Sequence, residues 1–143
     1  MKINNNRNYT NEIFSELEFH DDRVEKSEFE DCKFINCNFS ESQFVKCKFI
    51  GCEFRSSNLN LIKPHNSRFF ETDFKDCKIT GVNWTSLDWA GFSIVSPIFF
   101  ESCDISFSVF NSLKLHELSL QDCKAHVVDF SDCDLKGANF FRA

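Results

Sequence analysis

Eight cysteines and four histidines are the residues of this 143-residue chain best suited to chemistry. Thiolates and imidazoles are common zinc ligands, and paired thiols form disulfides. Their positions favour neither use. Cys32, Cys37, Cys47 and Cys52 stand five or ten residues apart, and Cys77, Cys103, Cys123 and Cys133 lie well separated further along. Zinc knuckles instead bring two cysteines within a short loop. Ser27, Ser42, Ser57, Thr72 and Ala138 hold the equivalent position in neighbouring units, so the position demands a small side chain. A reduced, buried thiol serves as one. His20, His65, His116 and His126 lack a neighbouring nucleophile or a second ligand at metal-binding spacing, and no Gly-rich phosphate loop is present. The expectation is therefore a chain without catalytic residues, cofactor or metal.

The elements that must position these residues are announced by Phe29, Phe34, Phe39, Phe44, Phe49 and Phe54, one at every fifth residue. In an α-helix five residues turn about 500°, so these side chains would spiral around the surface. In a flat strand an odd spacing sends each to the opposite face. The period fits a chain that turns one corner per unit. Two side chains, two residues apart, then point inward and three form the outward corner. That is a coiled β-solenoid.

The stretches FEDCKFINCNFSESQFVKCKF and FSDCDLKGANF resemble the pentapeptide-repeat family, whose usual unit places Ala or Cys, then Asp or Asn, then Leu or Phe, before two polar residues. Matching units run from Leu17 to Phe140. The resemblance implies an all-β fold, a right-handed quadrilateral β-helix with four units, about twenty residues, per coil. About six coils at about 4.8 Å each make a rod of about 30 Å. The expected organisation is an N-terminal arm or cap over residues 1–13 and a pentapeptide-repeat β-helix over 14–143.

At twenty residues per coil the inward residues form four columns. One is Phe19, Phe39, Leu59, Ile79, Phe99, Leu120, Phe140; the next is Val24, Phe44, Pro64, Trp84, Ile105, Ala125. The third is Phe29, Phe49, Phe69, Trp89, Phe110, Phe130, and the fourth Phe34, Phe54, Phe74, Ile94, Leu115, Leu135. Three irregularities are expected. Asp22 falls in an inward slot, where an unpaired carboxylate is costly. Pro64 cannot donate to a ladder and predicts a small loop. A one-residue slip after Phe99, through Phe100 and Glu101, predicts a β-bulge, with Val82, Leu87, Phe92 and Pro97 filling slots that are small elsewhere.

The formal net charge is −6. MKINNNRNYTNEIF lacks the apolar core of a secretory signal and no apolar run reaches membrane-spanning length, so a cytoplasmic protein without membrane contact is expected. Some pentapeptide-repeat proteins, the quinolone-resistance (Qnr-type) and mycobacterial MfpA-type members, act as rods that imitate DNA and bind DNA gyrase. The resemblance implies a non-enzymatic protein-interaction scaffold that modulates DNA gyrase or a topoisomerase as a DNA mimic, with no direct nucleic-acid contact. The alternative is a structural or adaptor module whose partner does not bind DNA. Acids are unevenly spread: residues 1–30 hold eight acids and four bases, residues 31–80 six and eight. The sequence shows neither the projecting loops of Qnr-type proteins nor their C-terminal helical segment. Val95, Ile98, Phe100, Phe107 and Val109 cluster around the expected bulge as a candidate protein interface, and Ile50 and Phe70 stack in outward slots. Leu135, Ala138, Phe140 and Phe141 on the last coil are the candidate self-association surface, giving a homodimer joined end to end.

Overall fold

The computed structural model describes residues 2–91 and 94–143. Short strands follow one another in chain order: β1 (Asn8–Thr10), β2 (Ile13–Ser15), β3 (Arg23–Glu25), β4 (Glu28–Glu30), β5 (Lys33–Ile35) and β6 (Gln43–Val45). They continue as β7 (Lys48–Ile50), β8 (Glu53–Arg55), β9 (Arg68–Phe70), β10 (Thr72–Lys75), β11 (Ile98–Glu101) and β12 (Leu120–Gln121). Every pairing between them is parallel and joins one coil to the next. The sheets are β1-β4-β7-β9, β2-β5-β8-β10-β11-β12 and β3-β6. Isolated bridges such as Glu18↔Asn38↔Asn58↔Lys78 complete the fourth side. The fold is a right-handed quadrilateral β-helix of about six turns. A single 3₁₀ turn, Trp84–Ser86, interrupts the extended backbone among the described residues.

The period of five has a direct structural cause. In each unit the central side chain points inward, and the residue two positions later takes a left-handed φ that turns the chain. Asn11, Glu16, Asp21, Lys26 and Asp31 show this in succession, with φ from 53° to 56°. Asn, Asp and Gly tolerate that region best, which accounts for the polar corners. Inside, the phenylalanines stack coil on coil. Phe34 and Phe54 lie 4.5 Å apart, Phe29 and Phe49 4.9 Å, and Phe49 and Phe69 4.8 Å, with near-parallel rings. Each large side chain removed from water contributes about 1.5–3 kcal/mol, much of it offset by ordering the chain.

Where the slot two residues before a centre holds Ser, Thr or Cys, that residue is a small hydrogen-bond donor. Ser67 Oγ donates to the Phe44 carbonyl at 2.8 Å, Thr72 Oγ1 to Phe49 at 3.2 Å and Cys77 Sγ to Phe54 at 3.3 Å. Ser, Thr and Cys are therefore interchangeable there. Seven of the cysteines are buried in this slot and Cys133 is half-buried; all eight are free thiols.

Three local expectations are corrected. Pro64 is buried and in register, with Lys63 bridged to Gln43, so no loop forms. Its missing N–H needs no partner, and the carbonyls of Lys63 and His65 still accept from Phe44 and Lys46. Asp22 is exposed, since its slot opens to solvent and Oδ1 accepts from the Arg23 N–H at 2.8 Å.

The third correction concerns the slip. Thr72 pairs with Ile98 and Phe74 with Phe100, a step of 26 residues where other coils take 20. The six extra residues fall between Asp88, whose N–H still donates to Ser67, and Pro97, whose carbonyl accepts from Thr72. The register is therefore changed between Asp88 and Pro97, not by a bulge after Phe99. Phe99 is half-buried, whereas Ile98 and Phe100 are inward at 0% and 1% exposure. Ile98 and Phe100 make a larger inward pair than Pro97 and Phe99 would. Phe92 lies outside the described residues. From here every column is displaced by one face relative to the expected grouping. The true columns are Phe14, Phe34, Phe54, Phe74, Phe100, Leu120 and Phe19, Phe39, Leu59, Ile79, Ile105, Ala125. Val24, Phe44, Pro64, Trp84, Phe110, Phe130 follow, and then Tyr9, Phe29, Phe49, Phe69, Trp89, Leu115, Leu135.

Candidate interaction surface

The displaced register sorts the five residues of the candidate interface. Ile98 and Phe100 belong to the core and present nothing to a partner. Val95 is 44% exposed at the end of the added stretch, bridged to His116. Phe107 is exposed and Val109 half-buried, one face away from Val95. The set is therefore divided, and Phe107 acquires different neighbours.

Phe107 stands on the corner between the Phe19 face and the Val24 face. Successive hydrogen bonds define that corner: Glu41 N–H to Asn60 O, Leu61 N–H to Thr80 O, Gly81 N–H to Ser106 O and Phe107 N–H to His126 O. Leu61, Gly81, Phe107 and Val127 thus occupy one corner on four consecutive coils. Their φ values are 59°, 65°, 63° and 54°. Among the described residues twenty-two other than glycine adopt left-handed φ, and Leu61, Phe107 and Val127 are the apolar ones. All three fall on this corner. Their exposures are 46%, 62% and 78%.

Each of these side chains is unfavourable to the isolated rod in two ways. The left-handed region is costly for bulky and β-branched residues, and the apolar surface gains nothing from solvent. Beside the ridge lies an open groove of about 270 Å³, lined by Leu61, Gly81, Pro64, Lys63 and Asn83 among others. The Leu61 side chain leans over Gly81, so closely that a Cβ on Gly81 would meet its Cδ2 at 2.5 Å. Leu61 thus covers Gly81 with an apolar cap, and Phe107 stands on the next coil.

A smaller apolar strip is formed by Ile50 and Phe70, paired in register on the Tyr9 face between Lys48 and Arg68. On the last coil Leu135 and Ala138 are half-buried, while Phe140 and Phe141 are 44% and 51% exposed.

Charge on the surface is interleaved. Lys48 pairs with Glu28 at 3.4 Å, Arg68 with Asp88 at 2.9 Å, and Glu53 with both Arg55 and Lys75 at 2.9 and 3.4 Å. Hydrogen bonds from Arg55 and then Lys75 hold the Glu53 carboxyl below its usual range. Burial pushes most of the slot thiols up, Cys52 to about 12, so they are poor nucleophiles and poor metal ligands. His20 contacts Ser40 and Glu41 on the next coil, and His116 Nε2 lies 2.6 Å from Asp134 Oδ2. Among the described residues no group of three or more His, Cys, Asp or Glu is arranged to hold a metal ion. Nor is any described helix long and apolar enough to cross a membrane.

The sequence matches the family profile described as the pentapeptide repeat region over residues 27–96, and the coil geometry is that of the family. This is a pentapeptide-repeat protein. Solved pentapeptide-repeat proteins resemble it in fold. QnrB1, a plasmid-mediated fluoroquinolone resistance protein, is 17% identical, with 94% of this chain and 73% of that one covered and a TM-score of 0.41. HetL, involved in heterocyst differentiation regulation in the cyanobacterium Nostoc, is 12% identical over 95% and 88%, with a TM-score of 0.28. Rfr23 from the cyanobacterium Cyanothece is 11% identical over 94% and 84%, with a TM-score of 0.33. No curated protein matches the sequence.

Proposed function

We propose that this pentapeptide-repeat protein is a non-enzymatic protein-interaction scaffold of the cytoplasm whose principal contact surface is the Leu61–Phe107–Val127 ridge. The carrying observation is the confinement of apolar left-handed residues to a single corner. Three side chains that disfavour the isolated rod, aligned on one edge, are what a covered surface requires. The test compares the unmodified protein and Phe107→Asp as immobilised baits under identical conditions. A partner retained by the first and lost from the second supports the reading; identical retained sets refute it.

A DNA-mimicking modulator of DNA gyrase or a topoisomerase is the second reading. It is favoured by the net charge of −6 and by the run of acids from Glu12 to Asp31. B-DNA carries roughly eighteen charges over about 30 Å, and interleaved bases, such as Lys63 beside the ridge corner and Lys46 on the next corner, weaken the imitation. Gyrase supercoiling with the protein added at about tens of micromolar, a generous excess over specific affinities, decides between the two. Inhibition that is lost on reversing Glu16, Glu18 and Asp21 supports mimicry. No effect leaves the adaptor reading, in which the partner does not bind DNA.

A further inference from the structure

We infer that the ridge is self-complementary and that its partner is a second copy of this chain, laid side by side and antiparallel. This rests on the reading of the ridge as an interaction surface and adds the identity of its occupant. Four consecutive coils present Leu61, Gly81, Phe107 and Val127 in that order. A two-fold axis across the middle of the ridge places Leu61 opposite Val127 of the other copy, and Gly81 opposite Phe107. Phe107 of each copy therefore meets the Leu61 side chain that covers Gly81 of its mate, beside the groove lined by Pro64 and Lys63. An isologous interface requires this reciprocity.

The flanking charges agree. With antiparallel rods the Val24 faces of the two copies share one side of the seam. Lys63 lies two residues beyond Leu61 on that face, and Asp129 two residues beyond Val127. The same operation that pairs Leu61 with Val127 brings Lys63 opposite Asp129, twice by symmetry. Among the described residues neither appears in an ion pair within the chain. Asp129 is held ionised by hydrogen bonds from the Ser131 hydroxyl and N–H, at 2.6 and 2.9 Å. A parallel arrangement would instead oppose Phe107 to Phe107 and set each Val24 face beside the Phe19 face of the mate, which parts Lys63 from Asp129.

Sedimentation equilibrium and small-angle scattering on the full chain test the inference. The expected result is a concentration-dependent dimer whose cross-section widens while its length stays near that of one rod. Phe107→Asp weakens it by at least about tenfold, as removal of a central anchor does, and leaves the circular dichroism spectrum unchanged. Lys63→Asp alone weakens the dimer, and Lys63→Asp combined with Asp129→Lys restores it. As a register test that does not rely on loss of binding, mixing Leu61→Cys with Val127→Cys chains under mild oxidation gives a crosslinked heterodimer. Val127→Cys alone gives none. A monomer at every concentration overturns the inference, as does a dimer of doubled length, which is the end-to-end contact of Phe140 and Phe141. In either case the bait comparison with Phe107→Asp still tests the scaffold reading independently.

Discussion

Phe49→Ala is the substitution that most directly tests whether stacked rings hold the rod together. Phe49 is 1% exposed and lies between two parallel rings, Phe29 at 4.9 Å and Phe69 at 4.8 Å. Phe44 meets it edge-on at 5.5 Å, and Phe54 is tilted against it at 5.6 Å. Truncation removes the transfer free energy of the ring and leaves a cavity that the parallel ladders on either side cannot collapse around, because β4, β7 and β9 are hydrogen-bonded in fixed register. The expected loss is about 3–5 kcal/mol, the upper range for buried aromatic residues. Against a total of about 5–15 kcal/mol for a domain of this kind, that is a large share. With a urea m-value of about 2 kcal/mol/M the midpoint falls by about 1.5–2.5 M. The assay is urea unfolding followed by far-ultraviolet circular dichroism and by tryptophan fluorescence, which reports on Trp84 and Trp89. Since each coil touches only its neighbours, the two signals should separate in the variant if the defect uncouples the coils beneath it. The control is Ile13→Ala, an exposed side chain away from the ridge, with an expected change within about 0.5 kcal/mol. A Phe49→Ala variant no less stable than Ile13→Ala would refute the account of the core.

Two further predictions concern buried polar groups. Burial raises the Cys52 thiol from 9.0 to about 12, so the folded state holds its proton more tightly than the unfolded chain does. Stability from this group is therefore complete below about pH 9 and declines as pH rises from about 9 towards about 12. Cys52→Ser should make alkaline unfolding less steep, and an unchanged slope would remove the thiol from the explanation. Trp84 is fully buried, and its Nε1 has no hydrogen-bond partner among the described residues. Trp84→Phe removes that orphaned donor while shrinking the ring, so the net change in thermal unfolding should be within about 1 kcal/mol. A loss above about 3 kcal/mol would show that the indole volume, not the orphaned donor, dominates at this position.

The period of five alone carries the fold. Phe29 to Phe54 exclude the helix and the flat strand, and the cysteines fall into the small slot beside them. The columns up to Trp84 follow from counting twenty residues. What the sequence hides is the added stretch between Asp88 and Pro97, because Trp89, Ile94 and Phe99 keep the apolar spacing of five straight through it. Whether such residues wind around the core or leave it depends on which inward pair packs better at the far end, and Ile98 with Phe100 decides that. The hydroxyl and thiol donations to the coil below are equally invisible, since spacing reveals size but not bond direction. The ridge is half legible. Phe107 stands out as apolar, but a count of fives with a single-residue slip after Phe99 sets it beside Asn66 and Ser86 and away from Leu61 and Gly81.

That added stretch fixes the rotational phase of everything after it. In a four-sided coil each unit of five residues is a quarter turn. A unit gained or lost within the winding swings the entire distal half of the rod by 90° relative to the proximal half. Six residues added at one corner, with the ladders on both sides in register, change the chain length and leave the phase untouched. Leu61 and Gly81 lie before the added stretch and Phe107 and Val127 after it, so they share an edge only because the ladders keep register across those residues. Insertions or deletions between Ala90 and Val95 should therefore be tolerated over a range of lengths. The same changes at any other corner, if absorbed as coil, would leave a stable rod with its surface broken in two.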